Sequence, residues 1–180
     1  MTTLEVVRWS ETMDLPGFRQ KIGGPALLVP QLHEDVSTPP PSEDGESSGP
    51  ITSVTKQVMV DSSTDVTIDL DGHVLPVVRT PANPFSDKIA IGRTRNCDVR
   101  IDHPSISRLH ALFLRASDGG WSVVDAGSSN GTRLNGQSVE KNRPQRLSFG
   151  DIVAFGSVAT QFVSPDTLYT ALRNLRPLQR

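Results

Sequence analysis

Two arginines, two serines and an asparagine could act together on one ligand. Arg93 follows a glycine at the end of the apolar run "KIAIG", and Arg108 stands beside Ser107 in "SISRLH". Ser129 and Asn130 fall within "DAGSSNGTRLNG", Asp125 to Gly136, a stretch with almost no apolar side chain. Planar guanidinium forks match the oxygens of a phosphate. Hydroxyls add donors, and a carboxamide offers donor and acceptor on one short side chain, suited to gripping an extended peptide backbone. Glycines let a turn come close to a ligand. The set fits a dianionic phosphate; it holds no nucleophile–base pair and nothing to activate water.

Short strands must position these residues. Val66, Ile68 and Leu70 alternate in "DVTIDL", and "KIAIG", "CDVRI", "HALFLR", "WSVVD", "RLSF", "DIVAF" and "SVATQFV" follow. Turn signals separate them at Asp118-Gly119-Gly120, Asn135-Gly136 and Gly150-Asp151. Many short runs at this spacing predict an all-β sandwich or barrel, and no βαβ alternation points to a parallel α/β sheet. Four loop clusters sit at strand ends: Gly92-Arg93, Ser105–His110, the "GSSNGT" turn, and Asn135-Gly136, which closes a tight hairpin. Loops of this sort gather at one end of a sandwich and can build a joint site. One helix is expected after Ser164 as N-cap, with Pro165 in the first turn and Leu168, Leu172 and Leu175 as its stripe.

The chain's 180 residues suffice for one sizeable domain. Residues 1–64 carry four Lys/Arg against nine Asp/Glu, and residues 65–180 carry fourteen against eleven. An acidic leader before a mildly basic folded part suits an anionic ligand better than a nucleic acid, which needs a stronger basic footprint. Cys97 is the single cysteine, so no internal disulfide or CxxC zinc site can form. The four histidines (33, 73, 103 and 110) show no metal-ligand spacing, and no cofactor is expected. The first residues lack a signal-peptide pattern, and no run approaches a membrane span; a cytoplasmic, reducing location is the expectation. Residues 1–33, with Trp9, Phe18 and "ALLVP", form an N-terminal segment, either a partly ordered tail or an element docking on a partner or on the main domain. Residues 34–56, including "STPPPSEDGESSGP", read as a disordered acidic linker. Residues 57–165 form the sandwich, and 166–180 the helix and tail.

The series "IGR", "CDVRIDHPSISRLHA", "VVDAGSSNGTRLNG" and "LSFGDIVAFG" resembles the forkhead-associated (FHA) domain, a phosphothreonine-recognition module, over about residues 72–163. The resemblance implies a twisted antiparallel sandwich of about eleven strands with neighbouring termini; the short C-terminal helix lies at or just beyond its boundary, and the leader, expected to be largely disordered, lies outside it. The resemblance makes Arg93 the main phosphate-binding arginine, with Ser107 and Ser129 as hydroxyl partners, Arg108 near the phosphate, and Asn130 holding the peptide main chain. Gly92, His110 and Gly131 match structural positions, and Asn135 and Gly136 support the site through their hairpin. The family's preference for threonine comes from a cavity for its γ-methyl, worth about 1 kcal/mol.

Read singly, Arg93 could pair with Asp102 or Asp125, Ser107 could cap a turn, and Ser129-Asn130-Gly131 could be no more than a tight turn. Ser107, His110 and Asp125 could be cast as a hydrolytic triad, but no G-x-S-x-G elbow accompanies them. The expectation is a non-catalytic adaptor that binds a phosphothreonine protein downstream of a Ser/Thr kinase, without nucleic acid or membrane. A phospho-independent scaffold is the alternative. Thr38, Thr52 or Thr55, once phosphorylated, could link the leader to the domain in cis or to a second copy.

Overall fold

Apolar alternation becomes strand wherever one face can be buried. The computed structural model describes residues 1–30, 55–59, 65–81, 83 and 87–174. In chain order the elements are α1 (Thr3–Thr12), α2 (Leu15–Ile22), β1 (Ala26–Val29), β2 (Thr55–Met59), β3 (Asp65–Asp69), β4 (His73–Pro76), β5 (Lys88–Gly92) and β6 (Val99–Arg100). They continue with β7 (Ala111–Arg115), β8 (Trp121–Asp125), β9 (Thr132–Leu134), β10 (Gln137–Ser138), β11 (Gln145–Leu147), β12 (Ile152–Phe155), β13 (Val158–Val163) and α3 (Pro165–Asn174). Six strands form one sheet in the order β10-β9-β12-β13-β1-β4, and five form the other, β11-β8-β7-β5-β6. These are the two sheets of an FHA-like sandwich; β2 and β3 make a separate ribbon. Among the described strands β6 pairs in parallel with β5 and the other ladders are antiparallel; Asp125 also makes an isolated parallel bridge to Lys141.

The expectation of a largely disordered leader is corrected over residues 1–30, which form two helices and a strand. The local signals are short but complete. Thr2 caps α1 in a reciprocal box with Glu5. Asp14 accepts the Gly17 amide at the start of α2, and Gly23 ends it with φ 79°. β1 then runs antiparallel between β13 and β4. Its sequence "ALLV" shows no alternation because both faces are buried. Leu27 and Val29 enter the core between the sheets, while Ala26 and Leu28 face a second cluster with Val6, Phe18, Leu168 and Leu172. Residues 31–54, which hold most of the expected linker, lie outside the described residues; Thr55 and Lys56 begin β2.

The core between the sheets is aromatic at its centre. Phe113 and Phe162 meet edge to face with centroids 5.6 Å apart, and Trp121 meets Phe162 at 5.9 Å. The second cluster roofs the outer face of the six-stranded sheet with the three helices. At α3 the Ser164 hydroxyl accepts the Thr167 amide at 3.0 Å, and Leu168 and Leu172 are buried as their spacing predicts. Tyr169 donates to the Met13 carbonyl at 3.0 Å and packs on Phe18, joining α3 to the N-terminal helices.

Leu27 is fully buried in a central strand. Leu27→Ala is expected to lower the unfolding free energy by about 2–5 kcal/mol, read from the shift of the urea midpoint. A change of a few tenths would mean that β1 is not part of the cooperative fold.

Candidate functional site

One end of the sandwich is built by the connections β5–β6, β6–β7 and β8–β9. They enclose an open cleft of about 720 Å³ whose lining includes Arg93, Ser107, Arg108, Ser129 and Asn130. The first two connections touch backbone to backbone. The Arg93 amide donates to the Ser107 carbonyl at 3.0 Å, and the Thr94 amide to the Arg108 carbonyl at 3.3 Å. The Arg108 carbonyl also accepts from the Thr94 hydroxyl at 3.0 Å and the buried Cys97 thiol at 3.3 Å. A Cβ on Gly92 would lie 2.3 Å from that carbonyl oxygen, so only glycine permits the approach.

Two buried polar side chains hold the walls. His110 accepts the Ser107 amide at Nδ1 (3.1 Å), leaving Nε2 to donate to the Gly131 carbonyl (3.1 Å). That pattern requires the neutral ring. Burial lowers its pKa below 6.5, against the opposing pull of the Gly131 carbonyl and the Asp125 charge. Asp125 organises the β8–β9 turn: one oxygen accepts the Gly127 and Ser128 amides at 2.9 and 2.8 Å, the other the Ser128 and Thr132 hydroxyls, both at 2.7 Å. Burial is the largest influence on its pKa and raises it, but these donors together outweigh it and hold the carboxyl below its usual value.

The Ser107 hydroxyl accepts the Ser129 amide at 3.0 Å, so two serines 22 positions apart meet on one wall. Asn130 donates through Nδ2 to the Ser105 carbonyl at 2.8 Å, which leaves Oδ1 unengaged. Among the described residues, no carboxylate lines the cleft. Asp102 pairs with Arg100 and Asp125 is engaged in its own turn, so neither neutralises Arg93. Arg19, Arg143 and Arg146 are likewise matched with Asp166, Glu140 and Asp118. Arg93 and Arg108 make no ion pair among the described residues. The triad geometry is not formed: both His110 nitrogens are used on main-chain groups, and the Ser107 hydroxyl meets the Ser129 amide.

Asn135 and Gly136 stand apart from this cluster. Their φ angles of 49° and 84° make the expected tight hairpin between β9 and β10. β9 separates them from Gly131 by three residues, roughly 10 Å. Asn135 instead binds Asp151 and the Ile152 amide, each at 2.9 Å, securing β9 to β12. Asp125 as organiser, and Ser105, Gly156 and Ser157, were not selected from sequence. Asp125 could have been: an aspartate followed by Gly-Ser and a threonine is an Asx-type turn signal.

The structure thus defines a class, a β-sandwich that presents a cationic, hydroxyl-lined cleft on interlocked loops. The sequence profile of the FHA domain matches residues 89–156. The oxoglutarate dehydrogenase inhibitor of Corynebacterium diphtheriae is 36% identical over 107 residues, covering 57% of this chain and 72% of that protein. The chain belongs to the FHA family, whose domain is a non-catalytic phosphopeptide-binding module. Human kanadaptin is 33% identical over 82 residues, 40% of this chain and 11% of that protein. The chain spans only 6–12% of the length of kanadaptin and two further curated relatives. The N-terminal FHA domain of S. cerevisiae Rad53p, solved in complex with a phosphothreonine peptide, is 27% identical and aligns over 54% of this chain and 88% of that one, with a TM-score of 0.44. Among the described residues, no helix is long and apolar enough to cross a membrane.

The lowered pKa of His110 has a pH consequence. The unfolded chain takes up a proton near pH 6.5, and the folded protein resists it until lower pH. The stability tied to the neutral ring is therefore complete above that value and is lost as pH falls through the folded pKa. The urea midpoint is expected to drop between about pH 7 and pH 5, and to drop less in His110→Gln. Equal drops in both proteins would remove His110 as the cause.

Proposed function

We propose that the cleft binds a phosphothreonine-containing segment of a partner protein, and that the chain works as an adaptor downstream of a Ser/Thr kinase. The observation that carries this reading is the meeting of Ser107 and Ser129 beside two arginines that no carboxylate among the described residues neutralises. Phosphate oxygens would take the guanidinium of Arg93, the hydroxyls of Ser107 and Ser129, and the charge of Arg108. Asn130 would hold the peptide main chain through its unengaged Oδ1 and second N–H. Gly92, His110 and Gly131 would serve indirectly, by fixing the distance between the walls. Thr38 and Thr52, candidates for a phosphorylated leader, lie outside the described residues, and Thr55 opens β2.

An oriented phosphopeptide library probed with wild type and Arg93→Ala tests the reading. Wild type is expected to select phosphothreonine over phosphoserine several-fold, as about 1 kcal/mol from a buried methyl implies. Arg93→Ala should weaken binding by roughly 2–5 kcal/mol, the cost of leaving the dianion without its main charge partner. Partner binding that survives Arg93→Ala would instead establish the phospho-independent scaffold.

A further inference from the structure

The turn between β12 and β13, Gly156-Ser157, touches both walls of the cleft without lining it. The Gly156 amide donates to the Gly131 carbonyl at 3.0 Å, the same oxygen that His110 Nε2 meets. On the other side Ser157 donates to the Ser105 hydroxyl twice, from its amide at 3.1 Å and its own hydroxyl at 2.9 Å. The Ser105 hydroxyl in turn meets His103 Nδ1 at 2.8 Å. Gly156 lies at φ 60°, and a Cβ there would fall 2.6 Å from the Ser105 carbonyl oxygen. That carbonyl is the acceptor that orients the Asn130 carboxamide.

We propose that Gly156, Ser157 and Ser105 form a positioning relay that sets the rotamer of Asn130 and so the grip on the ligand's main chain. The inference rests on the phosphopeptide reading above. Ser105 is held by two hydrogen bonds from Ser157 in the β12–β13 turn and by one to His103 in its own loop, and its carbonyl then presents one fixed acceptor to Asn130 Nδ2. With that N–H engaged, Oδ1 and the second N–H remain for a ligand in the cleft that Asn130 lines. Ser107 does not depend on this relay. Its amide, carbonyl and hydroxyl are held by His110, Arg93 and Ser129. At Ser105 and Ser157 the main-chain grip rests on contacts other than those that hold Ser107, and it can be loosened there without the phosphate grip; Gly156 alone also meets the Gly131 carbonyl that His110 uses.

Isothermal titration with a phosphothreonine peptide taken from the library, and NMR titration with free O-phospho-L-threonine, separate the two grips. Ser105→Ala and Ser157→Ala should each weaken the peptide about three- to tenfold, the span of one or two lost hydrogen bonds. Free O-phospho-L-threonine, which has no extended main chain, should bind both variants as it binds wild type. In an Asn130→Ala background Ser105→Ala should cause no further loss of peptide affinity, because its effect passes through Asn130. Gly156→Ala should act more strongly in the same direction; where it fails to fold, the two alanine variants carry the test. Equal loss for both ligands, or full additivity with Asn130→Ala, overturns the relay. Peptide binding unaffected by Arg93→Ala overturns the underlying phosphopeptide reading instead.

Discussion

A buried imidazole that must stay neutral holds the cleft together. His110 is fully buried, takes the Ser107 amide on one nitrogen and gives its proton to Gly131 from the other. A protonated ring has no acceptor, so charging it would leave the Ser107 amide without this partner. The burial that lowers its pKa also keeps it in the form the loops require. Asp125 works with the opposite sign. It stays ionised in a buried place because four donors of its own turn surround it. One neutral ring and one charged carboxylate thus satisfy main-chain groups that the tight convergence of loops would otherwise leave unpaired.

This arrangement bears on ligand binding through order rather than through direct contact. Loops that must be organised by the ligand lose part of the interaction energy to conformational entropy. Here the turns are held by contacts already made, from Gly92 against Arg108 to Asp125 within its own turn. The charges left over are selective. Four exposed arginines sit beside carboxylates, where the pairs contribute little in water. Arg93 and Arg108 face a cleft that no carboxylate among the described residues lines. An anion entering there replaces no existing ion pair, so its attraction is not offset by a broken one.

Legibility in the sequence followed the range of the interactions. The strands β5, β7, β8, β12 and β13 show as short apolar runs bounded by turn residues, and β7 and β12 also alternate in burial; Asn135-Gly136 and Ser164-Pro165 are local signals with local outcomes. The convergence of Arg93, Ser107, Arg108, Ser129 and Asn130 on one cleft agrees with the grouping read from ordered motifs. What the sequence hides is partly non-local: "ALLV" carries no period because it is buried on both faces, whereas the caps of α1 and α2 and the Asp125 turn are local signals that the expectations leave unused. Asn135 and Gly136 were grouped with the site because a loop's end of the sandwich depends on strand parity. Gly156 and Ser157 carry no mark of their contact with Ser105, which lies 52 positions away and depends on how two sheets stack.

The N-terminal strand and the cleft share β13, yet their roles separate along it. β1 pairs with Gln161, Phe162 and Val163, the end of β13 away from the cleft. The cleft end of β13 is held by β12, through Phe155 against Val158 and Ala154 against Ala159. Between these two regions the strand is continuous, so β1 contributes to the sheet's cohesion without touching the turn that reaches Ser105. Residues 1–30 therefore act on the site through the stability of the sandwich, by filling the gap between β13 and β4 and covering the sheet's outer face. Cleft geometry is set separately, by side chains that lie between Gly92 and Ser157. A substitution in α1, α2 or β1 bears on how much protein is folded, whereas one in the loops bears on what the folded protein can hold and, at His110, on stability as well.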